Sequence, residues 1–180
     1  MVEIDYKIIR RFGPSIFKVK IPNNIINQLN DYVDNIVNNK NKSKSLNYGE
    51  HLVGDVSQEF LLEKDIMEKS GWTNFLATCV KKWIEVETDQ QITKFTLIQS
   101  WVVRQFQNEY NPTHWHGGHI SGAGYLKVPK NLGKNIQDKQ KREYRGGKLQ
   151  LIHGSRMFLC HSTLNIAPEV GDFYFFPNYL

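Results

Sequence analysis

The sequence predicts an α+β fold, with helices first and a β-sandwich or jelly roll in the second half. Two observations carry this. Apolar residues recur at helical spacing only before residue 90, and after Asp89 the chain breaks into short β-branched and aromatic runs separated by turn residues. Helices followed by many short strands form separate layers around a core rather than alternating along one parallel sheet.

Along the chain, residues 4–10 and 15–20 read as two strands split by the turn "FGPS". A helix follows in which Ile25, Ile26, Leu29, Val33, Ile36 and Val37 share a face, with Asn23 or Asn24 as its cap. The Asn-, Lys- and Ser-rich stretch from Asn38 to Tyr48 reads as a loop. A short helix capped by Ser57 is expected to run to about Lys69, and a longer one from Thr73 to Val86 with Phe75, Leu76, Cys79, Trp83 and Val86 on its inner face. The later strands are "KFTLIQSWVVRQFQ", "HISGAGYLKVP", "GGKLQLIHG", "STLNIAP" and "DFYFFP", with residues 130–146 as a polar insertion expected to be mobile. Residues 1–180 are expected to form one domain: a mainly helical support over 1–90 and a β core over 91–180.

Composition narrows the function classes. With 40% hydrophobic and 12% aromatic residues the chain is foldable rather than disordered. No apolar run is long enough to span a bilayer, and "MVEIDYKIIRRF" lacks the layout of a signal peptide. Two distant cysteines, Cys79 and Cys160, make no disulfide framework, so a reduced cytoplasmic setting is expected. Net charge is +5. Its bias lies in segment 127–148, where Lys127, Lys130, Lys134, Lys139, Lys141, Arg142, Arg145 and Lys148 oppose only Asp138 and Glu143. That segment is either a solvated connection or a contact for an acidic partner such as nucleic acid.

The chemistry gathers in "NEYNPTHWHGGHISGAGYL", which holds His114, His116 and His119. On a strand, alternate residues share a side, so His114 and His116 would project together, away from Trp115. Two such imidazoles suit one metal ion, although an H-x-H pair by itself also occurs as ordinary surface histidines. His119 would face away if the strand ran on unbroken, but Gly117 and Gly118 intervene. The zinc-protease pattern H-E-x-x-H, the nucleophile elbow and the phosphate-binding glycine loops are absent. "APEVGDFYFFPNYL" reads as a Gly-Asp turn delivering an aromatic strand, either across a barrel or in a plain hairpin.

Taken in order, "NPTHWH", "ISGAGYLKVP" and "PEVGDFYFFPNYL" resemble the iron(II)- and 2-oxoglutarate-dependent oxygenases, most of all a phage and bacterial group related to prolyl hydroxylases. "YGEHLVGDVSQEFLLE" is similar to that group's pre-barrel segment. The resemblance implies a double-stranded β-helix (a jelly-roll, cupin-like core) with helices outside. It also implies Fe(II) as cofactor and 2-oxoglutarate as cosubstrate. His114 matches the first metal ligand, and His116 stands where the family usually has a carboxylate, which leaves the site one unit more positive. Tyr125 matches a tyrosine that hydrogen-bonds the far carboxylate of 2-oxoglutarate or serves only as a core residue, and Arg104 is a second cosubstrate candidate or a surface arginine. The distal ligand histidine and the cosubstrate-binding Arg or Lys would fall beyond Leu180, since His153 and His161 precede the Gly-Asp turn. The expectation is therefore a truncated site that binds iron weakly. The implied activity is C–H hydroxylation, in a peptide or protein by kinship with prolyl hydroxylases, with nucleic acid open through the basic segment and no membrane partner. A jelly-roll module without the chemistry, and a cupin-like metalloprotein without 2-oxoglutarate, are the alternatives.

Overall fold

The structure, a computed structural model, describes residues 13–133 and 146–180. The strand expected over 4–10 and most of the insertion 130–146, including five of the basic residues from Lys134 to Arg145, lie outside the described residues. The elements are β1 (Phe17–Lys20), α1 (Asn23–Val37), α2 (Lys40–Ser45), a 3-10 turn (Gly49–His51), β2 (Gln58–Leu61), α3 (Lys64–Lys69) and α4 (Trp72–Thr88). The strands β3 (Trp101–Arg104), β4 (Ile120–Gly124), β5 (Leu149–Ile152), β6 (Thr163–Ile166) and β7 (Asp172–Pro177) complete them. The described helices all precede residue 89, and no helix lies between residues 94 and 128.

Helix α1 buries Ile25, Ile26, Leu29, Val33 and Ile36, the apolar stripe that the spacing requires. Its start differs from expectation. Pro22 is the cap residue, and its carbonyl accepts from the N–H groups of Ile25 and Ile26 at 3.0 and 3.1 Å, so neither Asn23 nor Asn24 caps the helix. The stretch 40–45, expected as loop, is the short helix α2. Asn39 makes it one by accepting from the N–H groups of Asn41 and Lys42. In α4 the buried residues are Trp72, Leu76, Val80 and Trp83, whereas Val86, expected inside, is exposed near the helix end.

The helix expected from Ser57 is a strand in its first half. Residues 58–61 pair antiparallel with β3, Gln58 opposite Arg104 and Leu61 opposite Trp101. Ladder pairing over this stretch overrides its helical pattern, and only from Lys64 does the chain turn as helix. The Ser57 N–H goes to Glu109 Oε1 at 3.0 Å instead of starting a helix.

The architecture is mixed α/β with antiparallel sheets. Strand β7 is central in the sheet β1-β7-β4, while β2-β3 and β5-β6 form separate two-stranded sheets. The described strands do not close into a barrel, so the expected double-stranded β-helix is reduced to this coarser arrangement. Residues 105–119, expected partly as strand, run irregularly between β3 and β4, which leaves those two strands in different sheets.

Strand β7 is buried on both faces. Phe173 and Phe175 pack into the helical cluster with Ile25, Leu29, Leu76 and Trp83. Tyr174 and Phe176 pack on the other face with Leu151 of β5 and Ile166 of β6. This explains the glycines that interrupt β4. A Cβ at Gly124 would stand 2.3 Å from Phe173 Cδ2 and 2.9 Å from the Asp172 carbonyl, and one at Gly122 would stand 2.4 Å from Phe173 Cε1. The Phe173 ring lies where side chains would be. Gly124→Ala is therefore expected to cost about 1–3 kcal/mol by overpacking, read as a lower urea midpoint; an unchanged midpoint contradicts the packing.

Asp172 begins β7 with its side chain fully buried. Its Oδ2 lies 2.7 Å from Lys18 Nζ and accepts from the Tyr174 hydroxyl at 3.1 Å. Oδ1 meets Lys20 Nζ at 2.5 Å as an ion pair rather than through an aligned hydrogen bond. Burial pushes the carboxyl pKa up, but the two ammonium groups and the phenol outweigh it and hold the pKa at about 2, against an ordinary 3.8. A carboxyl held below its unfolded value contributes stability that is fully present above about pH 4 and is lost as pH falls towards 2. The stability gap between wild type and Asp172→Asn should shrink through that window in urea melts; a gap independent of pH between 5 and 2 refutes the ion-pair account.

Candidate metal centre

His114 and His116 sit in the irregular segment before β4, not in a strand as expected. The alternation survives: both rings turn inward, half-buried, while Trp115 between them is 82% exposed. The Nε2 atoms of the two rings are 3.0 Å apart, and the rings meet edge to face with centroids at 4.7 Å.

The tautomers follow from the neighbours. His114 Nδ1 is 2.7 Å from the Pro112 carbonyl. A carbonyl only accepts, so Nδ1 carries the proton and the lone pair of His114 Nε2 points at His116. Two lone pairs at 3.0 Å would repel, so His116 Nε2 carries the bridging proton and donates it. That leaves His116 Nδ1 as a bare acceptor, buried and without a hydrogen-bond partner among the described residues. Burial and then the neighbouring His114 push the His116 pKa down, which favours the neutral imidazole a metal requires.

Three elements position the pair. Trp101 of β3 stands edge-on to the His116 ring at 6.2 Å, and Phe176 of β7 lies 6.5 Å from it. The backbone of His116 pairs with Asn178 just beyond β7. Gly118, with φ +86, turns the chain away against Ile98 in a conformation that side chains rarely adopt. The signal for Trp101 and Asn178 was weak in the sequence, where they read as an ordinary strand aromatic and part of "FPNYL".

Behind Trp101, on the same face of β2-β3, lies Glu59, which is 1% exposed. Its Oε2 has no hydrogen-bond partner among the described residues, and burial, then the charge of Glu109, push its pKa up. Sequence reasoning missed this carboxyl because its segment reads as the start of a helix rather than a strand.

The comparisons bear on this half of the chain. Residues 99–180 match the model of the family described as "Putative 2OG-Fe(II) oxygenase". Over this segment the chain is similar to that oxygenase family. No curated protein and no solved structure matches the chain.

The matched segment holds the other expected site residues in different places. Tyr125 follows β4 on the face of the sheet that also carries Phe176, Tyr174 and Asp172. Burial raises its phenol pKa to about 12 against the opposing pull of the Leu149 backbone N–H on its oxygen, so the group keeps its proton. Arg104 lies on the opposite face of β3 from Trp101. There it hydrogen-bonds Gln58 and its guanidinium covers the Phe106 ring, so the structure does not bring it to the histidines. The His153 ring stands 6.1 Å from that of Tyr179, and His119 and His161 are exposed. Among the described residues no group of three His, Cys, Asp or Glu side chains converges as a metal site. Hollows on the helical half, such as that lined by Lys81, Glu85 and Ile92, lie away from the pair.

The His116 imidazole should titrate below the ordinary 6.5 when followed by NMR. A midpoint at or above that value would contradict the buried, His114-facing placement.

Proposed function

We propose that this protein is an Fe(II)- and 2-oxoglutarate-dependent dioxygenase that hydroxylates a C–H bond, with His114 and His116 as two adjacent metal ligands. The observation that carries this is the 3.0 Å between the Nε2 atoms together with the Pro112-fixed tautomer of His114. At the ~2.1 Å length of a zinc–imidazole bond, two ligands at a right angle stand ~3.0 Å apart. The pair thus fits two neighbouring corners of an octahedral ion in place of the bridging proton. The His114 Nδ1–H donated to a backbone carbonyl is the outer contact that orients ligating histidines generally.

Iron with 2-oxoglutarate supplies oxygen activation in this family. The chain's own residues would hold and shield it. His114 would present its Nε2 lone pair as it stands, His116 would do so once its proton moves from Nε2 to Nδ1, and Trp101 and Phe176 would keep water from the inner side of His116. Tyr125, protonated and on the same sheet face as Phe176, would donate its hydroxyl to the far carboxylate of the cosubstrate. The double-stranded β-helix is the finer fold reading that goes with this activity. A peptidyl, prolyl-like substrate rests on the resemblance to prolyl hydroxylases, and the exposed Trp115 indole beside the pair offers such a chain an apolar contact. A nucleic acid partner would rest on the basic segment 127–148, of which Lys127 is tied to Asp34 at 2.9 Å. No helix among the described residues is long and apolar enough to cross a membrane, in keeping with the proposed cytoplasmic setting.

One observation favours a second reading, a binding module of the same fold without the chemistry: no third protein ligand joins the pair among the described residues.

An anaerobic Fe(II) titration followed by a succinate assay separates the two. The oxygenase reading expects Fe(II) binding that His114→Ala and His116→Ala each weaken by more than the roughly 10–100-fold that outer contacts cost. With only two such ligands converging among the described residues, it expects that binding to be weak and any succinate to depend on iron. Binding unchanged in both variants, or no binding by the wild type, sinks it in favour of the module.

A further inference from the structure

Asn178 directly follows β7 and meets the histidine segment at three points. The His116 N–H donates to the Asn178 carbonyl at 3.0 Å, and the Asn178 N–H donates to the His119 carbonyl at 3.2 Å. The side-chain amide Nδ2 then donates to the His116 carbonyl at 2.9 Å. Both backbone polar groups of His116 therefore end on one residue. Any residue at 178 could supply the two main-chain bonds; the third needs a donor held one carbon beyond Cβ.

That third bond acts at a weak point. The His116 carbonyl belongs to the peptide leading into Gly117 and Gly118, whose backbones have little conformational preference of their own. Among the described residues the His116 ring has no hydrogen bond at Nδ1 to fix its rotation. Its direction is set by the Nε2 bond to His114, by Trp101 and Phe176, and by the main chain beneath it. His114, in contrast, is already oriented by Pro112.

We propose that Asn178 is the positioning residue of the imidazole pair: its side-chain amide fixes the His116 main chain so that both Nε2 atoms can meet one ion. The role of the ion rests on the reading above, but the positioning does not. Aspartate at 178 would set a carboxylate oxygen against the His116 carbonyl, and alanine would leave that carbonyl to water.

The test begins with metal-free protein carrying 15N-histidine. In Asn178→Ala and Asn178→Asp the imidazole signals of His114 and His116 should shift and broaden, while that of His161 stays in place. Asn178→Ser, whose hydroxyl is too short to reach, should behave like alanine and serves if either variant fails to fold. Asn39→Ala is the control, because it removes the α2 cap far from the site; it should lower the melting temperature without moving the His114 and His116 signals. Cobalt(II) titrations should then show affinity about tenfold or more weaker in the 178 variants than in Asn39→Ala. Unmoved His114 and His116 signals in a folded 178 variant, or movement equal to that in Asn39→Ala, overturn the proposal. If the signals respond as expected but wild type takes up no cobalt, the positioning role stands and the metal reading is what fails.

Discussion

The buried carboxylate of Asp172 is the constraint on which the rest of the molecule is hung. A charge removed from water is costly unless matched, and here Lys18, Lys20 and the Tyr174 hydroxyl match it at once. Both lysines come from β1, so the pairing sets β1 beside β7 in register, Lys18 opposite Tyr174 and Lys20 opposite Asp172. The ammonium heads stay half in solvent while the carboxylate is enclosed. Losing one lysine would weaken the match, and losing both would strand the anion.

With its start fixed, β7 becomes the spine of the fold. Its five residues from Asp172 to Phe176 are buried, with odd positions turned to the helices and even positions to β5-β6. The four steps from Asp172 to Phe176 carry the chain about 13 Å along the sheet. At that far end Phe176 touches His116 and Asn178 holds its backbone. One strand thus links an electrostatic anchor to the imidazole pair. The two histidines gain geometry from a rigid strand although they lie in an irregular segment, which is how precise sites on loops are generally supported.

The proposed ligand pair departs from the carboxylate that the resemblance implies, within the segment 99–180 that matches the family model. An imidazole in place of a carboxylate removes a negative charge. Burial of His116 then acts in the useful direction, since it disfavours the imidazolium and leaves a lone pair to offer. The same burial would have raised the pKa of a carboxyl there.

Much of this was legible in the sequence. The division near residue 90, the stripe of α1, the order of the later strands and the joint projection of His114 and His116 follow from periodicity, which is a local property of the chain. What failed was also systematic. Residues 58–61 have a pattern that reads as helix, and only pairing with β3 made them strand. Arg104 faces away because the β2-β3 register turns Trp101, not Arg104, toward His116. The buried Glu59 escaped notice for the same reason. The glycines of β4 look like defects until Phe173 is laid across them. The sequence by itself determined which residues are apolar, at what period, and that two imidazoles share a side. Only the tertiary structure decided which strands pair and which faces meet, because partners such as Gln58 and Arg104 lie 46 residues apart and no local preference encodes such a contact.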